Sequence, residues 1–455
     1  MSPIPETSPV APGAHPTLSE AFSVFARIGL LSFGGPAGQI ALMHRYLVEE
    51  HKWLDEGRFL HALNYCMLLP GPEAMQLATY AGWLLHGVRG GLMAGLLFVL
   101  PGAVVLVALT MAYMLVGEVA IVQGLLFGLK AAVLAVVLEA LIKVSRRALK
   151  GPSAVAIAVA AFVAIAFLGI AFPAIILGAA LIGAVLHLFR SPGFRRRDAT
   201  PVSADAVADT PLPSWARPSL SRLVSIVSVW LVLWFGPLLL LHAALGERHV
   251  LAVEASFFSK MAAVTFGGAY AVLAYVAQQA VEVHGWLRPD EMLTGLGLAE
   301  TTPGPLILVL VFVGYLGAAR FSALDPLLGG LAGALVTLWF TFVPCFLWIF
   351  AGAPYVETVR NVRWLAAALA AVTAAVVGVI ANLAVWFALH VLFGEVNAYA
   401  VGPFDLPAPD LASFDAAAAV IALAAGIALL RFHANLIAVL MLSALAGAAM
   451  LLVGI

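Results

Sequence analysis

The chain has 455 residues, of which 63% are hydrophobic and only 10% are charged, and its formal net charge at pH 7 is -1. These few charged residues could not cover the surface of a water-soluble protein of this length. The composition therefore excludes a soluble globule and indicates a protein in a lipid bilayer. A net charge near zero gives no reason to expect nucleic acid as a partner, and two cysteines, Cys66 and Cys345, support neither a disulfide framework nor a thiolate metal site.

Long apolar runs recur from Leu18 to Ile455. In hydrocarbon such runs must be helices, because every backbone N–H and C=O needs an internal partner. We therefore predict an all-α, polytopic transmembrane protein with about 12–13 membrane segments. In chain order the apolar segments are 20–45, 59–86, 90–116, 119–142, 153–170, 172–189, 222–245, 255–281, 291–318, 326–351, 362–393, 414–430 and 433–455.

Sequence motifs of the first half recur in the second half. Phe33-Gly34-Gly35 recurs as Phe266-Gly267-Gly268, and Pro70-Gly71-Pro72 recurs as Pro303-Gly304-Pro305, both at an offset of 233. Beyond a ten-residue insertion the register continues at an offset of 243, where Pro101 aligns with Pro344. The chain is therefore predicted to contain two copies of one helical repeat.

The repeats define the predicted domains. Residues 1–19 are predicted to be a disordered tail, 20–190 the first repeat, 191–221 an Arg-rich linker, 222–245 a spacer transmembrane helix and 250–455 the second repeat. Six segments precede the linker and six follow the spacer, and a single spacer helix inverts the second copy relative to the first. The predicted fold is two inverted-topology repeats with broken helices.

Loop charges predict the orientation of the chain. With the N-terminus in the cytoplasm, the basic cluster at 143–150, the linker and Arg431 also lie in the cytoplasm, as the positive-inside rule requires. The loop at 394–413 has acidic residues but no Lys or Arg, and it lies outside. The basic loop with Arg45, Lys52 and Arg58 is the exception if every segment spans the membrane. The segments that carry the motifs could instead be re-entrant, so the number of full spans stays open.

The repeated motifs predict the binding site. Proline has no backbone N–H and glycine lets the chain turn, so each Pro-Gly-Pro motif is expected to break its helix at membrane depth. Helices that restart after Pro72 and Pro305, or after Gly35 and Gly268, would direct N–H groups and a positive dipole end toward an anion. The alternative is that the glycines permit close packing and the prolines only kink the helices.

Matched polar residues precede the Phe-Gly-Gly motifs. Arg27 aligns with Lys260, and Ser32 aligns with Thr265. Two intramembrane cations related by a pseudo-twofold axis could lie on either side of a dianion, with the hydroxyls as hydrogen-bond donors. The alternative is that both cations reach the membrane interface by snorkelling, because each lies only a few residues after its segment begins.

Other polar residues near the breaks have no equivalent in the other repeat. Glu73 follows the first Pro-Gly-Pro motif and Glu300 precedes the second, and both are candidates for proton coupling or for structural pairing with a cation. Neutral side chains that could hydrogen-bond an oxyanion are Gln39, Asn64, Gln76, Thr301 and Thr302, although each could equally bridge helices. No metal or cofactor site is predicted.

These motifs resemble the signatures of a known family. The segments FARIGLLSFGGPAGQ at 25–39, LLPGPEAMQLATYAGW at 68–83 and LLFVLPG at 96–102 are similar to those of the chromate ion transporter family, in its long-chain, two-domain form. MAAVTFGGAYAVL at 261–273 and ETTPGPLILVLVFVGY at 300–315 echo them in the second half. Many family members have small residues after the first Pro-Gly-Pro motif, whereas this chain has Glu73-Ala74-Met75, which puts the preferred anion in doubt.

The resemblance implies a function. It implies a multi-pass protein of the prokaryotic inner membrane that exports chromate from the cytoplasm and gives chromate resistance. Transport in the family is chemiosmotic, so the membrane potential or the proton gradient would drive it without direct use of ATP. The only expected partners are chromate and the lipid bilayer, and the oligomeric state stays open, a homodimer included.

Other functions remain alternatives. Sulfate and chromate are both tetrahedral dianions of similar size, so a carrier for sulfate or another oxyanion, or an anion channel, could use the same scaffold. An intramembrane enzyme is disfavoured because the sequence has no HExxH zinc motif, and an ATP-driven pump because it has no GxxxxGK[ST] phosphate loop. We therefore do not expect an enzyme.

Overall fold

The computed structural model describes residues 16–188, 213–266, 268–355, 363–401 and 404–453. Within these ranges the chain forms sixteen α-helices and one two-stranded antiparallel β-hairpin, which confirms the predicted helical fold. Residues 1–15 of the predicted tail and residues 191–212 of the predicted linker lie outside the described ranges. Six of the described helices are long and apolar enough to cross a membrane.

The first half contains α1 (Leu18–Leu31), α2 (Gly35–His44), α3 (Glu56–Cys66), α4 (Glu73–Val116), α5 (Ala120–Ala148), α6 (Pro152–Leu168) and α7 (Phe172–Leu188). A π-helical turn, Arg45–Glu50, extends α2. The spacer helix is α8 (Leu220–Leu245).

The second half contains α9 (Val250–Val264), α10 (Ala269–Ala277), α11 (Pro289–Glu300), α12 (Val309–Phe321), α13 (Pro326–Gly352), α14 (Arg363–Leu392), α15 (Ala416–Leu430) and α16 (Leu436–Val453). A second π-helical turn, Gln278–Val283, extends α10 at the same offset of 233. The strands β1 (Val396–Val401) and β2 (Phe404–Pro409) pair antiparallel within the loop predicted to lie outside.

Helix α4 is a helical hairpin. A straight helix of 44 residues would be about 66 Å long, more than twice the ~30 Å of a bilayer core. The helix turns back at His86 and Gly87, where Gly87 has a φ of 61° and a ψ of -151°. Gly82 in the first arm then packs against the backbone carbonyl of Gly90 in the second arm.

The second Pro-Gly-Pro motif also lies at the tip of a hairpin. Arg320 at the end of α12 donates hydrogen bonds to Glu291 Oε1 in the first turn of α11 (2.6 Å) and to the carbonyl of Trp286 in the loop before α11 (2.9 Å). Halfway along the hairpin, Gly295 packs against the ring of Phe312. Helices α11 and α12 therefore run antiparallel and open on the same side. In the first repeat, α3 packs on α4 in the same way, with 5.9 Å between the rings of Tyr65 and Tyr80.

The Phe-Gly-Gly motifs form hairpin tips as well. Phe257 on α9 contacts Tyr275 on α10 and Trp286 beyond it, with ring centroids 5.6 Å and 5.8 Å apart. In the first repeat, Glu20 at the start of α1 interacts electrostatically with His51, which follows the extended α2. Each of the four segments that carry a motif therefore enters and leaves on one side.

This topology changes the interpretation of the loop charges. The segments at 20–45 and 59–86 fold back as helical hairpins, so the basic loop with Arg45, Lys52 and Arg58 lies at the same end of the hairpins as the start of α1. This loop is an exception to the positive-inside rule only where both segments span the membrane. Between α1 and α9, helices α4, α5 and α8 are long and apolar enough to cross a membrane, and α6 and α7 are shorter apolar helices of 17 residues each.

The long helices interleave the two halves. Helix α5 packs along α15 and α16, and α14 packs along α6 and α7. Small residues allow this close approach, because Gly128 lies against the carbonyl of Ser443 and Gly378 lies against the carbonyl of Ala158. Each half therefore completes its bundle with helices of the other half, which holds the hairpin tips together at the centre.

Candidate functional site at the crossing of the hairpin tips

The four hairpin tips meet in two pairs. The N–H of Gly304 donates to the carbonyl of Ser32, and the N–H of Gly71 donates to the carbonyl of Thr265, both at 2.8 Å. We call the Ser32–Gly304 contact the first crossing and the Thr265–Gly71 contact the second crossing. The two contacts are equivalent at the offset of 233, so the Pro-Gly-Pro tip of each repeat binds the Phe-Gly-Gly tip of the other.

The Pro-Gly-Pro sequence explains this geometry. Neither proline has an N–H, so the glycine N–H is the one backbone donor of each motif. Gly71 and Gly304 have φ values of 122° and 91°, a region that favours glycine, and this conformation turns the N–H toward the other repeat. The motif therefore breaks the helix and provides the hydrogen bond that joins the repeats.

The Pro-Gly-Pro tips are tightly packed from behind. Gly102 on α4 lies against the carbonyl of Pro303, and Cys345 on α13 lies beside Gly71, where an added Cβ would be 2.8 Å from its Sγ. Gly102 and Cys345 are equivalent at the offset of 243. Each tip is thus supported by a long helix of the opposite repeat, α4 or α13. Neither Gly102 nor Cys345 was predicted as a site residue.

The Phe-Gly-Gly tips face open space. Gly34, Gly35 and Gly268 have φ values of 81°, 75° and 101°, and an added Cβ at any of them would meet no atom within 4 Å. Gly267 lies outside the described residues. The space beside the crossings is therefore accessible from the Phe-Gly-Gly side.

The helices that restart at the four tips lack side-chain caps. In the part of the chain that the structure describes, no side chain caps the start of α2, α4, α10 or the 3-10 turn Leu306–Leu308 that precedes α12. Thr17, Asp55, Asp325 and Asp415 cap α1, α3, α13 and α15, whereas α5, α6 and α8 also begin without a capping side chain. The first N–H groups of a helix have no partner within the helix, so these four starts retain donors for an anion.

The hydroxyl groups predicted to bind the anion are used locally. Ser32 Oγ donates to the carbonyl of Ile28 and Thr265 Oγ1 donates to the carbonyl of Met261, both at 2.6 Å. Thr301 and Thr302 donate to the last turn of α11 at 2.8 Å and 2.9 Å. Each hydroxyl has one hydrogen, so it would have to rotate before it could donate to a ligand. Their role in binding stays a prediction.

The two glutamines lie at the two crossings. Gln39 Nε2 donates to the carbonyl of Gly304 at 2.6 Å, and Gln76 Nε2 donates to the carbonyl of Pro70 at 2.7 Å. Both side chains are buried, and the Oε1 atoms have no hydrogen-bond partner among the described residues. The equivalent positions in the second repeat are Val272 and Val309. Both glutamines therefore come from the first repeat.

The two carboxylates differ in their surroundings. Glu300 is buried and accepts a 2.5 Å hydrogen bond from the hydroxyl of Tyr270, and Glu139 and Lys143 on α5 interact with it electrostatically. Tyr270 follows the second Phe-Gly-Gly motif by two residues, and this short spacing was the sequence signal for it. Glu73 begins α4, and Arg147 on α5 interacts with it electrostatically.

Three predicted residues lie apart from the crossings. Arg27, Asn64 and Lys260 are exposed and make no hydrogen bond or ion pair among the described residues. Arg27 is on the face of α1 opposite the buried Ala21, Phe25 and Ile28. The structure therefore brings together the glycines, prolines, hydroxyls and glutamines of the predicted site, but not these three side chains.

Comparisons with known proteins agree with this architecture. A family model described as "Chromate transporter" matches residues 19–184 and 254–448. A chromate transport protein of Cupriavidus metallidurans is 29% identical over 83% of this chain and 86% of its own length, and one of Pseudomonas aeruginosa is 31% identical over 81% and 80%. A probable chromate transport protein of Synechococcus elongatus is 29% identical over 82% and 85%.

No solved structure matches the chain significantly. The family model covers both repeats and excludes little besides the tail, the linker and the spacer helix. The residues that form both crossings, including all positions of the two Pro-Gly-Pro motifs, lie inside the matched ranges. The chain therefore belongs to the chromate transporter family.

Proposed function

We propose that this protein is a secondary transporter that exports chromate from the cytoplasm across the inner membrane of a prokaryote and thereby gives chromate resistance. The observation that carries the proposal is the reciprocal crossing of four broken-helix tips in a chain of this family. Discontinuous helices at a repeat interface are where secondary transporters bind their substrates.

The anion is proposed to bind beside the crossings, on the open Phe-Gly-Gly side. The uncapped starts of α2 and α10 would donate backbone N–H groups there, and their positive dipole ends would favour negative charge. Ser32 and Thr265 would add hydroxyls after rotation. Arg27, Lys260 and Asn64 stay candidates for steering the anion from the exposed surface rather than for direct contact within the crossing.

The proposed orientation takes the four motif hairpins as re-entrant, and takes the second arm of α4 and helices α5 to α8 as five crossings between α1 and α9. With the N-terminus and the 191–221 linker in the cytoplasm, the first pair of hairpins opens to the cytoplasm and the second pair opens outside. The basic loop at 45–58 and the basic end of α5 then lie on the cytoplasmic side, in agreement with the positive-inside rule. In this orientation the four tips meet between a pair of hairpins that opens to the cytoplasm and a pair that opens to the outside, an arrangement suited to alternating access.

Coupling to protons is proposed to use Glu300. This carboxyl group is buried beside the second Pro-Gly-Pro motif, bonds Tyr270, and lies within electrostatic range of Glu139 and Lys143 on α5. Ionisable groups inside a membrane protein are commonly proton carriers, because their charge is costly unless it is paired or neutralised. Glu73, at the other Pro-Gly-Pro tip, is the second candidate.

Chromate uptake into everted membrane vesicles would test the proposal. Export from cells becomes uptake in everted vesicles, so energised vesicles with this protein should accumulate labelled chromate, and an uncoupler should abolish accumulation. Sealed vesicles that contain the protein at normal levels but take up no chromate would contradict the assignment. If excess sulfate abolishes chromate uptake, a carrier for sulfate or another oxyanion is favoured. If chromate only reaches equal concentrations inside and outside the vesicles, an anion channel is favoured.

A further inference from the structure

A buried carboxyl group lies away from both crossings. Glu254 is on the second turn of α9, its side chain is 0% exposed, and neither carboxyl oxygen has a side-chain hydrogen-bond partner among the described residues. The backbone N–H of Ala318 on α12 is the polar group that interacts with it. An ionised carboxylate in this place would be neither solvated nor paired with a cation, which is among the most costly arrangements in a protein. A carboxylic acid that keeps its proton avoids most of this cost.

The space for Glu254 is made by a glycine on α12. A Cβ added to Gly317 would lie 2.7 Å from Glu254 Oε1, and the ring of Trp286 closes the same space. At the offset of 233 the first repeat has Ala21 and Leu84, and both are buried on the packed helices α1 and α4. The first repeat thus has a small residue, Ala21, where the second has Glu254, and a large residue, Leu84, where the second has Gly317. Since an apolar pair fills the equivalent place, packing alone does not require an acid.

No ionisable side chain near Glu254 compensates its charge. Arg320 on α12 binds Glu291 instead, and His284 stacks on Trp286 at a centroid distance of 4.5 Å. The titratable groups on α9 and its N-cap, on the elements packed against it, on the loop before α11 and on the first turn of α11 are Arg222, His242, His249, Lys260, Tyr270, Tyr275, Glu282, His284, Arg288, Asp290, Glu291, Tyr315, Arg320 and Cys345. None of these groups hydrogen-bonds Glu254 in the described part of the chain.

We propose that Glu254 is a second proton-binding site of the carrier, distinct from Glu300. It holds a proton while α9 and α12 are packed together, and it releases the proton to water when the α9–α10 hairpin moves away from α12. A carboxyl group sealed from water holds its proton more tightly than an exposed one, so proton binding and hairpin position are linked. This proposal rests on the proposed function, because the hairpin movement is the one that transport would require.

Two variants separate proton binding from packing. Glu254→Gln keeps the size of the side chain and cannot ionise. The double variant Glu254→Ala with Gly317→Leu reproduces the Ala21–Leu84 pair of the first repeat, so it restores an apolar packing that this fold already uses. Both variants should reach the membrane at wild-type levels and remain monodisperse in detergent.

Infrared spectroscopy of the purified protein gives a readout that needs no substrate. The spectrum of wild type minus Glu254→Gln should contain the carbonyl stretch of a protonated carboxylic acid at neutral pH, shifted in heavy water. Absence of this band at neutral pH would overturn the proposal, because the group would then be ionised. This arm gives its answer even if the wild-type protein does not carry chromate, so the two proposals can fail separately.

Chromate exchange in proteoliposomes tests the link to transport. With equal pH on both sides, the wild-type exchange rate should change several-fold between mildly acidic and mildly alkaline pH. Both variants should retain exchange and show a weaker dependence on pH, because one proton-binding group is missing. If the infrared band is present but both variants keep the wild-type pH profile, Glu254 is a structural acid and the proposal is wrong.

Discussion

The two crossings have the same backbone hydrogen bond but different side-chain support. At the first crossing, Gln39 bridges the tips, because its amide belongs to one hairpin and donates to the carbonyl of Gly304 in the other. At the second crossing, the amide of Gln76 donates to the carbonyl of Pro70 in its own tip, and the same side chain interacts with Cys345 on α13. Among the described residues, the second crossing is thus joined by the backbone hydrogen bond from Gly71 to Thr265.

This difference indicates which contact opens more easily. Inverted repeats would give two equivalent contacts if their sequences were identical, and a carrier that alternates between two states must loosen one contact at a time. Because Gln39 adds a hydrogen bond worth about 0.5–1.5 kcal/mol to the first crossing, we expect the second crossing to separate first. Exchange of residues between the repeats provides direct tests.

The largest effect is expected from Gly102→Cys, which places the residue of the second repeat in the first. Any Cβ at position 102 would collide with the carbonyl of Pro303, a backbone atom that cannot turn aside. We expect a loss of about 1–3 kcal/mol of folding free energy from overpacking and chromate uptake at background level. Vesicle uptake and thermal unfolding in detergent measure the two effects.

Cys345→Gly is the matched control at the second crossing. It removes a small side chain and adds a helical glycine, which costs about 1 kcal/mol, so most of the uptake should remain. Equal tolerance of both substitutions would show that the packing behind the two Pro-Gly-Pro tips does not differ as the structure indicates.

A smaller effect is expected from Gln39→Val, which introduces the residue found at the equivalent position 272. The carbonyl of Gly304 would lose its side-chain donor, and an unsatisfied buried acceptor costs about 1–3 kcal/mol. The unfolding temperature and the uptake rate should both fall. Gln76→Val should lower the unfolding temperature but leave uptake less affected, because Gln76 does not join two hairpins. The reverse order would contradict the proposed role of Gln39.

Glu300→Gln should separate coupling from binding. A glutamine keeps the contact with Tyr270 but cannot exchange a proton, so accumulation driven by a pH gradient should be lost while chromate exchange continues. Counterflow in proteoliposomes measures this, with Glu73→Gln as the comparison at the other tip. Loss of exchange together with accumulation would mean that Glu300 supports the structure or the binding site instead.

The smallest effects are expected from Arg27→Ala and Lys260→Ala. Both side chains are exposed and unpaired among the described residues, and exposed charges contribute about 0.2–1 kcal/mol. Chromate affinity should therefore fall by less than about fivefold, as judged from the concentration dependence of uptake. Complete loss of binding in either variant would instead place that cation in the site, as the sequence alignment of the repeats first suggested.

The candidate site was predictable where it depends on backbone chemistry. The repeated glycines and prolines identified the broken helices, because only a few backbone conformations suit Gly and Pro. Arg27 and Lys260 were aligned correctly with each other, but the alignment could not show which face of the helix they occupy. Gly102 and Cys345 reach the crossings through packing between distant segments, and a hydropathy pattern has no information on such contacts.

The sequence by itself determined that the chain is a helical membrane protein with two related halves and that its helices break at four matched motifs. It did so because hydrocarbon demands helices, and because repeats and helix breakers can be recognised along one dimension. Only the tertiary structure decided that the motif segments fold back as hairpins, that each tip bonds the opposite repeat, and that Glu254 is sealed from water. These depend on which surfaces meet in space, since the same apolar segment can cross a membrane or fold back within it.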